Sequence, residues 1–128
     1  MNGTARRPLR RAHRELVVWQ EAISLVQDVY AATASFPREE IYALTSQMQR
    51  AAVSVPSNIA EGAARRTRAE LTQFIGVAQG SLSELDTQAE IAVRLGYLAP
   101  DHEVFVRMDR VFSLLLGLAR SIPARPAR

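Results

Sequence analysis

The sequence predicts an all-α domain, an antiparallel up-down four-helix bundle, and three observations carry that prediction. Apolar residues recur at three- and four-residue spacing over four long stretches. Capping residues, glycines and prolines fall between the stretches. The connections are short, and short connections leave consecutive helices as antiparallel neighbours. A chain of 128 residues is one domain by size and long enough for a real core. The expected division is a basic arm over residues 1–14, the bundle over 15–122 and a basic tail over 123–128.

The first helix spans about 15–34. Leu16, Trp19, Ile23, Val26 and Tyr30 are its candidate core stripe, Glu15 and Glu21 suit its start, and Phe36-Pro37 ends it. Residues 38–43 form a connection.

The second helix begins with Thr45 as N-cap, or at Pro37 as first helical residue, and runs to about Glu61 or Ala64. Met48, Ala52, Val55 and Ile59 form its core stripe. Gln47, Arg50, Ser54, Asn58 and Glu61 form a polar stripe beside it. Pro56 lacks an amide hydrogen and crowds the carbonyl of Ala52, so a bend is expected there, eased by Ser54 bonding back to the backbone. Gly62 reads as a C-terminal signal.

Thr67-Arg68-Ala69-Glu70 has the capping-box pattern and opens the third helix. Leu71, Phe74, Ala78, Leu82, Leu85, Ala89 and Ala92 are its core stripe, and it ends at Gly96. Gly76, Gly80, Ser83 and Thr87 make a strip of small residues; a glycine inside a helix costs about 1 kcal/mol against alanine, so the strip suggests close approach by another helix. The fourth helix is expected from about Pro100 to Ile122. Its stripe is Val104, Met108, Val111, Leu115 and Leu118, with a second line of Phe105, Phe112, Leu116 and Ala119 and with Leu114 facing a third way. That is more apolar surface than a peripheral helix of a monomer needs, so Gly76, Gly80, Phe105, Phe112, Leu114 and Leu116 are the candidate oligomer interface.

Symmetric pairing about the turn at Arg65 and Arg66 sets Arg50 beside Ser81 and Gln47 beside Glu84. A polar network of Gln47, Arg50, Ser54, Asn58, Glu61, Ser81 and Glu84 is therefore expected. It reads either as an internal hydrogen-bond cluster around a paired arginine or as a ligand site.

Composition narrows the chemistry. All 16 basic residues are arginine and there is no cysteine, which removes lysine Schiff bases, a P-loop lysine, disulfides and thiolate metal sites. His13 and His102 are the two histidines, and no Glu-x-x-His pair is present. Asp86 and Glu90 are spaced as a helical acid pair, but Glu90 also suits Arg94, as Glu61 suits Arg65 and Glu103 suits Arg107. No enzymatic activity, metal or cofactor is expected. The longest apolar run, 114–119, is far short of a membrane span, and no apolar stretch follows the leading arginines. A cytoplasmic location is expected, with no membrane partner.

The formal charge of +3 is unevenly placed, because all 13 acids lie between Glu15 and Asp109. Arg6, Arg7, Arg10, Arg11, Arg14, Arg125 and Arg128 in the tails, with Arg65, Arg66 and Arg68 at one turn, are the candidate nucleic-acid contacts. The alternative is a solubilising arm on a protein-interaction scaffold.

LVVWQEA, Phe36-Pro37, LTSQMQRAAVSVPSNIAEG, AQGSLSELDTQ and LGYL resemble a bacterial four-helix-bundle family that includes proteins encoded in intervening sequences of 23S rRNA genes. The accessory variability determinant of diversity-generating retroelements is a relative. The resemblance covers Leu16 to Leu98 closely and the fourth helix by pattern. Matching positions are Gln47, Arg50, Ser54, Pro56, Asn58, Glu61, Gly62, Gly80, Ser81 and Glu84. It implies a ring-like homopentamer without known enzymatic activity; the retroelement relative binds nucleic acid and a reverse transcriptase. Ala63-Ala64 stand where the family often has an aromatic and a glycine, and Thr72-Gln73 where it is more aromatic, which removes rings on which bases stack.

Overall fold

A computed structural model describes residues 11–122. A short 3-10 turn, Ala12–Glu15, leads into α1 (Val17–Thr33); a second, Arg38–Glu40, precedes α2 (Leu44–Ala63); α3 (Arg68–Arg94) and α4 (Glu103–Ser121) follow. No strand occurs among the described residues. Each helix packs on its neighbours in sequence and α4 closes back on α1, while the diagonal pairs stay apart. The result is an up-down four-helix bundle, with Leu25, Met48, Ile59, Ile75, Leu82, Leu85, Met108 and Leu115 fully buried at its axis.

The stripes of α2 and α4 lie where the periodicity sets them, with Met48, Ala52, Val55, Ile59, Val104, Met108, Val111 and Leu115 all buried. Ile75 joins the α3 stripe and Leu71 packs at its edge, whereas Phe74 is only half-buried and lies outside the core cluster. The α1 stripe differs. Val18, Ala22, Leu25, Val29 and Ala32 are buried, whereas Ile23 and Tyr30 are exposed and Trp19 and Val26 sit on the flank. Two parallel apolar stripes with the same spacing run along α1, and the one with the smaller side chains faces inward. Ala22 and Ala32 let the backbones approach, while a rotation of about 100° would force Trp19 and Tyr30 into a close-packed interior.

The helix ends correct several expectations. Thr45 is not an N-cap. It lies within α2, 9% exposed, with its hydroxyl unpartnered, and Ala43 occupies the cap position. The Leu44 amide instead donates to Glu40 Oε1 at 3.3 Å, from a residue four positions upstream. Thr67 caps α3 as expected, but the reciprocal bond of the capping box is replaced: Thr67 Oγ1 accepts from the Glu70 amide at 3.2 Å, and the Glu70 carboxylate accepts at 3.0 Å from the Thr67 hydroxyl instead of from its backbone amide. At the other end Gly96, at φ +80°, completes a Schellman motif. Its amide donates to Val93 O and the Tyr97 amide to Ala92 O. α4 starts at Glu103, later than Pro100, because His102 Nδ1 accepts from the Val104 amide at 3.0 Å.

α2 runs without a break through buried Pro56. Hydroxyl and amide side chains serve the carbonyls around it: Ser57 Oγ donates to Val53 O, and Asn58 Nδ2 donates to Ser54 O, both at 2.8 Å. Ser54 itself turns its hydroxyl to α3. Gly62 is not a terminator either. A Cβ there would lie 3.0 Å from Phe74 Cβ and 3.2 Å from Leu71 Cδ1, so glycine is what brings α2 and α3 together at this level. The close approach expected at Gly76 and Gly80 is absent among the described residues, none of which lies within 4 Å of a Cβ built at either.

Candidate nucleic-acid interface

In this topology the start of α1, the α2–α3 turn and the end of α4 share one end of the bundle. The 3-10 turn docks there: Arg11, Ala12 and His13 line one wall of a pocket whose other wall is Ala60, Ala63 and Ala64. Arg14 and His13 are pinned by Trp19, the guanidinium lying 5.1 Å over the indole and the imidazole meeting it edge-on at 5.0 Å. The turn is further held by Gln20 Nε2, which donates to Arg14 O at 2.9 Å. Burial and the charges of Arg14 and Arg11 lower the His13 pKa, in that order.

Arg65 lies 4.8 Å over the Phe74 ring and 3.7 Å from Glu61, the expected helical ion pair. Arg66, Arg68 and Arg120 are exposed and have no ion pair among the described residues. The end therefore carries Arg11, Arg14, Arg65, Arg66, Arg68 and Arg120 against Glu15, Glu61 and Glu70. The opposite end has Glu39, Glu40, Glu90, Asp101 and Glu103 against Arg38 and Arg94, and the Glu90–Arg94 pair forms at 3.0 Å. Arg66 and Arg68 also precede or open α3, whose N-terminus already carries positive partial charge. That placement costs stability and favours an anion in front of it. Arg6, Arg7, Arg10, Arg125 and Arg128 lie outside the described residues.

The polar stripe of α2 assembles differently from the expected network around a paired arginine. Ser54 and Ser81 meet hydroxyl to hydroxyl at 2.7 Å, and Asn58 Nδ2 donates to Ser54 Oγ at 2.9 Å. Glu84 takes a hydrogen bond from Gln88 Nε2 at 3.3 Å, not from Arg50. Arg50, Gln47 and Glu84 are exposed, and neither Arg50 nor Glu84 has an ion pair among the described residues. Glu61 turns to Arg65.

A second correction concerns Arg107. It leaves Glu103 and crosses to α1, donating through Nη1 to Glu21 and through Nε to Asp28, with Arg110 Nε 3.1 Å from Glu21. The hydrogen bonds that Arg107 gives to Asp28 and Glu21 raise its pKa, and the bond it gives to Glu21 holds that carboxyl below its usual range. This inter-helix cluster had no signal in the sequence beyond charge, because its partners lie on helices far apart in the chain. The residues expected at an oligomer interface are split: Gly76, Gly80 and Leu116 are exposed, whereas Phe105, Phe112 and Leu114 pack on the edge of the core.

Among the described residues no group of three or more ligating side chains is placed to hold a metal ion, and no helix is long and apolar enough to cross a membrane. A family model described as 23S rRNA-intervening sequence protein matches residues 14–115. No curated protein matches the chain.

Proposed function

The chain belongs to the 23S rRNA-intervening sequence protein family, and from that premise we propose that it is a non-enzymatic, oligomeric accessory protein that binds RNA or DNA through the basic end of its bundle. The observation that supports this most is the charge separation along the bundle: arginines gather where the start of α1, the α2–α3 turn and the end of α4 lie, and acids gather at the other end. A phosphate backbone approaching end-on meets arginines and the N-termini of α1 and α3 while staying clear of the acidic end.

Assembly is part of the same reading. A ring-like homopentamer joined through the Gly76–Gly80 face of α3 and the outer apolar residues of α4, Leu116 above all, would multiply the formal charge of +3 on one particle. The kinship with the retroelement accessory determinant makes a reverse transcriptase a candidate protein partner, and the setting is cytoplasmic. A second reading, a protein-interaction scaffold without nucleic acid, draws on Tyr42 and Val106, which are 95% and 71% exposed.

A salt titration of RNA and DNA binding separates the two. Phosphate contacts give a log–log slope of about −0.7 per contact on single strands and about −0.9 on B-DNA. A steep slope supports the nucleic-acid reading; absence of binding at low salt supports the scaffold.

A further inference from the structure

The pocket at the basic end is walled on one side by Arg11, Ala12 and His13 and on the other by Ala60, Ala63 and Ala64; it is half open to solvent and offers about 250 Å³ of space. Three methyl groups form its inner wall, and two basic side chains stand at the opposite one. An apolar cavity of about 150 Å³ holds a benzene ring, so the space here admits a single heteroaromatic ring. The inner wall is the last turn of α2, a helix C-terminus, where partial negative charge disfavours a phosphate. Phosphates are favoured outside it, on Arg11 at one rim and on Arg65, Arg66 and Arg68 beyond the end of α2.

We propose that this pocket takes one unstacked nucleobase of a single-stranded RNA or DNA, with the flanking phosphates on Arg11 and on the arginines of the α2–α3 turn. The inference rests on the proposed nucleic-acid binding and adds a requirement for a base to it. Burying a ring against alanine methyls is tolerant of sequence, because every base offers an apolar face, and it needs the base to be free of its duplex. An α-helix end and a 3-10 turn make rigid walls, and the Arg14–Trp19 and His13–Trp19 contacts hold the turn in place.

Trp19 is the single tryptophan and touches His13, a wall of the pocket, so its fluorescence reports on occupancy. The full-length protein is titrated with a single-stranded oligonucleotide, with an abasic phosphate-sugar strand of the same length and with a duplex. The base-bearing single strand should change Trp19 emission and bind about tenfold tighter than the abasic strand, and the duplex should leave the emission unchanged. Ala64→Leu, at an exposed position that tolerates a larger side chain, and Ala63→Leu should each fill the pocket and remove the tenfold preference while leaving the salt slope intact. Circular dichroism confirms that each variant is helical. Equal binding of abasic and base-bearing strands, or unchanged preference in both folded variants, overturns the pocket while leaving end-on phosphate binding standing. Absence of any salt-dependent binding overturns both.

Discussion

Arg107 of α4 bridges two acids of α1, reaching Glu21 Oε1 and Asp28 Oδ2 at 2.9 Å each. The guanidinium fork matches two carboxylates about two helical turns apart, which ties α4 to α1 at a fixed height. The Arg107 side chain is 34% exposed, so water screens the pairs and their worth stays near the upper end of the surface range, about 1 kcal/mol. Arg107→Ala should lower the melting temperature by about 3–4 °C. Because the folded Glu21 carboxyl titrates below its ordinary 4.5, this stabilisation is fully present above that pH and is lost as pH falls through the lower folded value. Melting wild type and Arg107→Ala between pH 7 and pH 3 checks the sign: the gap should narrow under acid, and a constant gap would contradict the assignment.

Gly62 separates two roles for glycine. An added Cβ meets Phe74 Cβ at 3.0 Å and Leu71 Cδ1 at 3.2 Å. Overpacking of this kind costs about 1–3 kcal/mol, against a gain of about 1 kcal/mol in helix propensity. Gly62→Ala should therefore destabilise by about 1 kcal/mol in a denaturant titration. A stabilised Gly62→Ala protein would show that α2 and α3 slide apart at little cost.

Among the described residues nothing lies within 4 Å of a Cβ built at Gly76 or Gly80. Under the assembly reading a neighbouring subunit fills that space. Gly80→Leu should then leave helix content intact and abolish the oligomer by light scattering. A wild-type protein that is monomeric at micromolar concentration, or a Gly80→Leu protein that assembles normally, would remove these glycines from the interface.

The contact between Ser54 and Ser81 predicts a contrast with Glu84 beside it. Glu84→Ala should change stability by less than about 1 kcal/mol, because Glu84 is exposed and lacks an arginine partner among the described residues. Ser81→Ala should cost about 1 kcal/mol, and a double-mutant cycle with Ser54→Ala should return a favourable coupling. A larger loss for Glu84→Ala than for Ser81→Ala would contradict the geometry.

That pair also shows where the sequence was legible and where it was not. Helix number, order and the inward faces of α2, α3 and α4 followed from spacing, because apolar residues there occupy one stripe each. On α1 two stripes share the same period, and periodicity alone has no means of ranking Ala22 and Leu25 over Ile23 and Tyr30. The α2–α3 register differs from symmetric pairing about the turn by one helical turn, with Ser81 facing Ser54 rather than Arg50. Side chains lean toward the N-terminus of their own helix, so in an antiparallel pair they lean in opposite directions and meet about two residues away from the backbone level. That accounts for about half of the offset, and the close approach at Gly62 fixes the pairing as built. The arginines of the α2–α3 turn were legible as a cluster. Their meeting with Arg11 and Arg14 was not, because it depends on a 3-10 turn folding back onto the end of α2.

The central claim is that nucleic acid meets the basic end. Fluorescence anisotropy of a labelled single strand, titrated with salt, tests it on three proteins: wild type, Arg66→Ala with Arg68→Ala, and Arg38→Ala with Arg94→Ala at the opposite end. The account predicts that the Arg66/Arg68 variant weakens binding and reduces the magnitude of the salt slope by about 0.7 per lost contact, while the Arg38/Arg94 variant keeps the wild-type slope. Equal losses in the two variants, or an unchanged slope in the first, would contradict it.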